Sequence, residues 1–145
     1  MTTPRVVRLP LRVDYAIRAL AVLAASDRPV GCPAMAAGEH FPLDYLRIIM
    51  RDLSAVGLVR CSRGRGGGYV LMRPPDEISL VDVIRANERE DPKSRSDMAG
   101  GLREVWDLLN TETLRLLAQI TVADLIAAVV SFDADLPTRA ARNGR

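Results

Sequence analysis

With 145 residues, 48% apolar and 26% charged, the chain is long enough for one hydrophobic core and too apolar for a disordered polyelectrolyte. No apolar run approaches the ~18 residues of a membrane span, and Asp14 and Arg18 interrupt AIRALAVLAA, so neither a secretory leader nor a membrane segment is expected and the compartment reads as cytoplasmic. The net charge of +2 hides an asymmetry: residues 1–75 hold 11 arginines against 5 acidic residues, whereas 76–145 hold 9 basic against 13 acidic residues, so the N-terminal half is the one expected to face an anionic partner.

Val13, Ile17, Leu20 and Ala24 recur at helical spacing and predict an amphipathic helix over 11–25. Asp27, Pro29 and Gly31 end it. Pro33 suits the first turn of a second helix through Glu39, with Cys32 near its N-cap. Phe41–Pro42 breaks the chain before LDYLRIIMRDLSAVG, where Leu46, Ile49, Met50 and Leu53 mark a third helix and Gly57 takes the place of a C-terminal cap. Two apolar segments follow, Leu58–Cys61 and Tyr69–Met72, around RGRGGG; they predict a β-hairpin. Three short helices and a hairpin make a mainly α fold, a winged helix-turn-helix over 8–75 with a small β-hairpin wing.

That setting decides what RGRGGG is for. Walker A needs GxxxxGK[ST] leading into a helix, and a strand follows here; the dinucleotide spacing GxGxxG fails at Tyr69. A wing fits: glycines permit left-handed backbone and close approach to phosphate, and Arg63 or Arg65 can enter a minor groove. On the third helix Asp44, Arg47, Ile48 and Arg51 lie away from the apolar stripe, presenting two arginines to a major groove. The expected DNA-contacting set is Leu43, Asp44, Tyr45, Arg47, Ile48 and Arg51 with Arg63, Gly64 and Arg65. A solvated charged face is the plainer alternative for the third helix, and core packing is the alternative for the rings of Tyr45 and Tyr69.

The second half, 76–132, differs in character. Ser79-x-x-Asp82 resembles a capping box opening a short helix. Residues 87–101 are polar and glycine-ended and read as a loop. GLREVWDLLNTETLRLLAQ is the longest expected helix, with Leu102, Val105, Trp106, Leu109, Leu116 and Leu117 in a stripe. So apolar a stripe has little core to cover in a small chain, so Leu102, Val105, Trp106, Leu109 and Leu116 are expected to pack against a second copy. Thr121-x-x-Asp124 caps a further helix, VADLIAAVV, and the 133–145 tail reads as disordered.

RLPLRVDYAIRAL, FPLDYLRIIMRDLSAVGLVR, SRGRGGGYVLMRPPDEISLVDVI and LREVWDLLN with QITVADL together resemble the IscR/NsrR/CymR (Rrf-two) family of bacterial regulators, in order over roughly residues 8–126. The resemblance implies a homodimeric transcription regulator on a dyad-symmetric operator of double-stranded DNA. It also implies DNA contacts at Asp44, Tyr45, Arg47 and Ile48 and a minor-groove arginine at Arg63. Many members hold an iron–sulfur cluster through three cysteines before the Trp-bearing helix. The matching places here carry Glu88, Ser94 and Gly100, and 87–105 contains neither Cys nor His. Asp14 matches an oxygen ligand of some relatives, but one carboxylate does not replace three thiolates. No cofactor and no metal are therefore expected.

Two cysteines make no disulfide framework. Cys32, near a helix N-terminus, is placed for a lowered pKa, and Cys61 sits on a wing strand; the plainer reading is two small, partly buried apolar residues. His40 reads as a turn residue. No Ser/His/Asp, Cys/His or paired-carboxylate arrangement points to an enzyme. The expectation is a dimeric, cluster-free, cytoplasmic repressor answering an unknown effector. The alternatives are a cluster-bearing redox sensor with non-cysteine ligands and a winged-helix protein-interaction module.

Overall fold

A computed structural model describes residues 9–88 and 100–128. The expected loop over 87–101 lies outside these residues apart from its ends, as do residue 8, the end of the last expected helix and the 133–145 tail.

Helix α1 (Leu11–Ala24) buries Val13, Ala16, Ala19, Leu20 and Leu23; of the expected stripe Val13 and Leu20 are buried, whereas Ile17 and Ala24 are half-buried at its edges. Helix α2 (Cys32–Glu39) begins one residue before Pro33. It ends at His40, whose left-handed φ of 57° turns the chain toward Phe41 and Pro42. Helix α3 (Leu43–Ala55) buries Leu46, Ile49, Met50 and Leu53. These three helices and α4 share one core, in which Leu20, Leu46, Ile49, Met50 and Leu53 are fully buried.

Strands β1 (Val59–Ser62) and β2 (Gly68–Leu71) form the antiparallel hairpin, with Val59 opposite Leu71 and Cys61 opposite Tyr69. The ladder sits one residue nearer the tip than the apolar segments suggest. Its base is closed instead by a single bond from the Met72 N–H to the Leu58 carbonyl, 3.0 Å, so Leu58 and Met72 flank the ladder. The free edge of β2 takes one more partner: the Tyr69 N–H donates to the Val30 carbonyl at 2.8 Å and the Val30 N–H to the Tyr69 carbonyl at 3.0 Å. The α1–α2 linker thereby becomes a one-residue third strand.

A 3-10 turn (Pro75–Glu77) leads to α4 (Leu80–Asn87), and both halves of the Ser79/Asp82 capping box are present, at 3.0 and 3.1 Å. Asn87, expected in the loop, is instead the last residue of α4 and buried. Its side-chain amide donates to the Val83 carbonyl at 2.8 Å. Helix α5 (Gly100–Leu117) buries no residue. Leu117 leaves the expected stripe and packs against the core. A second box, Thr121 with Asp124, opens the helical residues 122–128. The two capped starts lie side by side, since the Leu80 N–H donates to the Ile120 carbonyl and the Val122 N–H to the Ile78 carbonyl, each at 2.8 Å. Ile78 and Val122 are fully buried at this seam, which ties the chain after α5 to α4. Among the described residues no helix is long and apolar enough to cross a membrane.

Candidate nucleic-acid interface

Helical geometry separates the two faces of α3. With 46, 49, 50 and 53 in the core, positions 44, 47 and 51 point away from it. Asp44, Arg47 and Arg51 are exposed and Ile48 is half-exposed. Arg47 Nη1 lies 3.2 Å from Asp44 Oδ1, with 56% and 96% of the two side chains accessible. An ion pair so exposed costs little to break, so the guanidinium remains available to another anion. Leu43 and Tyr45 belong less to this surface: both are half-buried and pack against the core.

The wing tip accounts for its glycines separately. Gly64 and Gly66 have φ of 103° and 73°, in the left-handed region, and the Gly67 N–H donates to the Gly64 carbonyl at 3.0 Å to close the turn. Gly67 and Gly68 are required by space. A Cβ on Gly67 would lie 2.4 Å from the Ser62 carbonyl oxygen, and one on Gly68 would lie 2.5 Å from the backbone of Val30. Gly68 is thus where the wing presses on the α1–α2 linker. Arg63, Gly64 and Arg65 are all exposed on this turn.

The start of α2 follows the linker residue Val30 that pairs with β2. Burial pushes the Cys32 thiol up in pKa, against the opposing pull of the Arg47 guanidinium and with Cys61 adding to the rise. This overturns the idea of a helix N-terminus lowering it, because desolvation outweighs the positive surroundings. Cys61 is exposed, contrary to the plainer reading of two partly buried residues, which holds only for Cys32.

Side chains that the sequence reading passed over hold this surface from behind. Arg12 of α1 forms an ion pair with Asp52 of α3, and its guanidinium stands 5.8 Å from the centre of the Tyr45 ring. Tyr15 lies between Tyr45 and Phe41, at centroid distances of 5.7 and 4.7 Å. Arg18 stacks over Phe41 at 4.6 Å and donates to the Glu39 carbonyl at 3.1 Å. It thereby satisfies one of the carbonyls left open at the end of α2, where a cation is favoured. Asp14, exposed, lies 3.6 Å from Arg18. Arg12 and Asp52 stand 40 residues apart, and no local pattern links them.

Helix-turn-helix, hairpin wing and a long appended helix define the winged helix-turn-helix class of regulator. The chain belongs to the Rrf2 family, described as iron-dependent transcriptional regulators, whose model matches residues 9–128; this is a family of regulators and not of enzymes. An HTH-type transcriptional regulator of Mycobacterium tuberculosis is 35% identical over 129 residues, covering 81% of this chain and 80% of the relative. One from Synechocystis is 32% identical over 127 residues, covering 81% and 86%. The fold is similar to IscR of T. potens, with a TM-score of 0.69, 27% identity and coverage of 86% and 89%. It is similar also to CymR, the global cysteine regulator of B. subtilis, with a TM-score of 0.65, 26% identity and coverage of 84% and 98%.

Proposed function

We propose that two copies of the chain pair through α5 and act as a cytoplasmic repressor on a dyad-symmetric operator of double-stranded DNA, with α3 in the major groove and the wing in the flanking minor groove. The observation that carries this reading is the exposure of Arg47 and Arg51 on α3 together with Arg63 and Arg65 on a glycine turn of the same winged helix. In this reading Asp44, Ile48 and Gly64 complete the contact surface, while Leu43 and Tyr45 set its edge. On the same reading, residues 8–75 serve as the reading unit and 76–132, through α5, as the pairing unit. The exposed apolar face of α5 supports pairing: Leu102, Val105, Trp106, Leu109 and Leu116 are each about half accessible or more, with Trp106 at 51% and Leu116 at 66%. A contiguous stripe of this kind marks an interaction site, and a second α5 matches it by symmetry.

The family description names iron, and the donors of this chain do not suit an iron–sulfur cluster. No Cys or His occurs over 87–105, Glu88 is exposed at the end of α4, and Gly100 offers no side chain. Cys32 is buried in the core, Cys61 lies on the wing, and Asp14 stands beside Arg18. Thiolates are the usual cluster ligands, so the reading is of a cluster-free regulator. Iron and acid-labile sulfide measured on protein purified without oxygen test it; stoichiometric iron and sulfide would overturn it.

DNA binding is tested by fluorescence anisotropy on a duplex selected from a random pool, titrated at several salt concentrations. Phosphate contacts require affinity to fall steeply with salt, and Arg63→Ala is expected to weaken binding about tenfold. Absent or salt-independent binding would sink the reading.

A further inference from the structure

Helix α3 is electrically neutral by its own residues: LDYLRIIMRDLSA holds Arg47 and Arg51 against Asp44 and Asp52. That is an odd balance for a helix meant to meet a polyanion, and one of the two carboxylates is treated differently from the other. Asp44 is almost wholly accessible and its pairing with Arg47 is a surface contact. Asp52 is paired with Arg12 from another helix, with only 16% of the arginine side chain and 25% of the aspartate side chain accessible.

The pair is poorly suited to be only a brace. Among the described residues Arg12 Nε is buried with no acceptor, and an apolar pair of similar size would hold two helices together without that penalty. What an apolar pair does not supply is charge. Asp52 follows Arg51 directly and lies four residues after Ile48, on the flank of the exposed face of α3. An uncompensated carboxylate at that flank opposes an approaching phosphate backbone. Tyr45 and Asp52 are seven residues apart, two turns along one side of the helix, and the Arg12 guanidinium meets both.

We infer that Arg12 is a positioning and charge-masking residue of the DNA-reading helix: it cancels the charge of Asp52, seats Tyr45, and turns a neutral α3 into a net positive surface. The inference rests on the DNA-binding reading above. Arg12 need not touch DNA, which separates this role from that of Arg63.

The test uses the full chain as wild type and as Arg12→Met, Arg12→Lys, Asp52→Asn and the double variant Arg12→Met/Asp52→Asn. Anisotropy on the duplex selected with wild type is read across salt concentrations, each variant being held well below its own melting temperature. Masking predicts that Arg12→Met binds about tenfold more weakly, that Arg12→Lys keeps most of the affinity, and that Asp52→Asn binds at least as tightly as wild type. The double variant should recover to within about threefold of wild type, because the charge needing a mask is gone. A direct phosphate contact would leave the double variant as weak as Arg12→Met, with the salt slope lowered by about one in both. A pure brace would lower the melting temperature of Arg12→Met and leave its affinity at wild-type level. Either result overturns the inference. If Arg12→Met does not fold, Asp52→Asn alone decides, a loss of affinity overturning the masking role. Wild type that binds no duplex would instead sink the DNA-binding reading itself.

Discussion

Cys32 and Cys61 share a chemical type and differ in exposure, which governs access to a reagent. Cys61 is exposed on β1; Cys32 is buried and its thiol is pushed up in pKa, so near neutral pH it is the thiol and not the nucleophilic thiolate. Alkylation with iodoacetamide, followed by peptide mass, should label Cys61 first at every pH. Cys32 should respond only as pH rises above the range of an ordinary thiol, and equal rates would contradict the burial argument. Asn87 makes a second residue-scale case. Its amide nitrogen is bonded, whereas its Oδ1 is buried without a partner among the described residues, and an unsatisfied buried acceptor costs about 1–3 kcal/mol. Asn87→Leu should therefore raise unfolding free energy by about 1 kcal/mol, read by urea denaturation. The sequence reading allowed both cysteines to be partly buried but did not separate them, and it placed Asn87 in the loop. Burial of Cys32 depends on what folds over it, and the polar Asn87 sits next to a charged run that hides its place in α4.

At the scale of elements, the two capping boxes are the clearest link between sequence and structure. Ser79 with Asp82, and Thr121 with Asp124, bond reciprocally as their spacing predicts. Ser79→Ala should cost about 1 kcal/mol in thermal or chemical unfolding, and more if the seam with residues 120–122 loosens with it. Helices α1 and α3 were legible because one buried face imposes its period over thirteen or fourteen residues. The hairpin was legible to within one residue. The third strand was not, since a single residue, Val30, makes it, and one residue has no period. The guanidinium and aromatic stack behind α3 escaped for a different reason: Arg12, Tyr15 and Arg18 look like ordinary members of an amphipathic helix until Phe41, Tyr45 and Asp52 are folded against them. The glycine run could be assigned to a turn from the sequence, but the distinction between glycines needed for backbone angle and those needed for space is visible only once the Val30 backbone is beside Gly68.

On the scale of the whole molecule, the exposed apolar face of α5 ties oligomeric state to function. The proposed second copy predicts a particle of twice the chain mass in light scattering. Leu109→Arg should yield a monomer that keeps the helix-turn-helix folded and loses roughly a hundredfold in operator affinity, because each half-site is then bound alone. A monomeric wild type, or a Leu109→Arg variant that stays dimeric, would contradict pairing through this face.

The way α5 is mounted has a mechanical consequence. Its half-buried residues, Thr113, Leu114 and Leu117, all lie toward its C-terminal end, next to the seam of paired helix starts. From that end the helix runs 18 residues, about 27 Å, with its remaining residues exposed. Its C-terminal end is thus a hydrogen-bonded root. A tilt of about 10° at the root displaces the Gly100 end by about 5 Å, which exceeds the roughly 3.4 Å separating base pairs in a duplex. In the proposed dimer, packing changes at Leu117 or Ile120 should therefore alter which spacing of half-sites is preferred, while leaving the grip on a single half-site almost untouched.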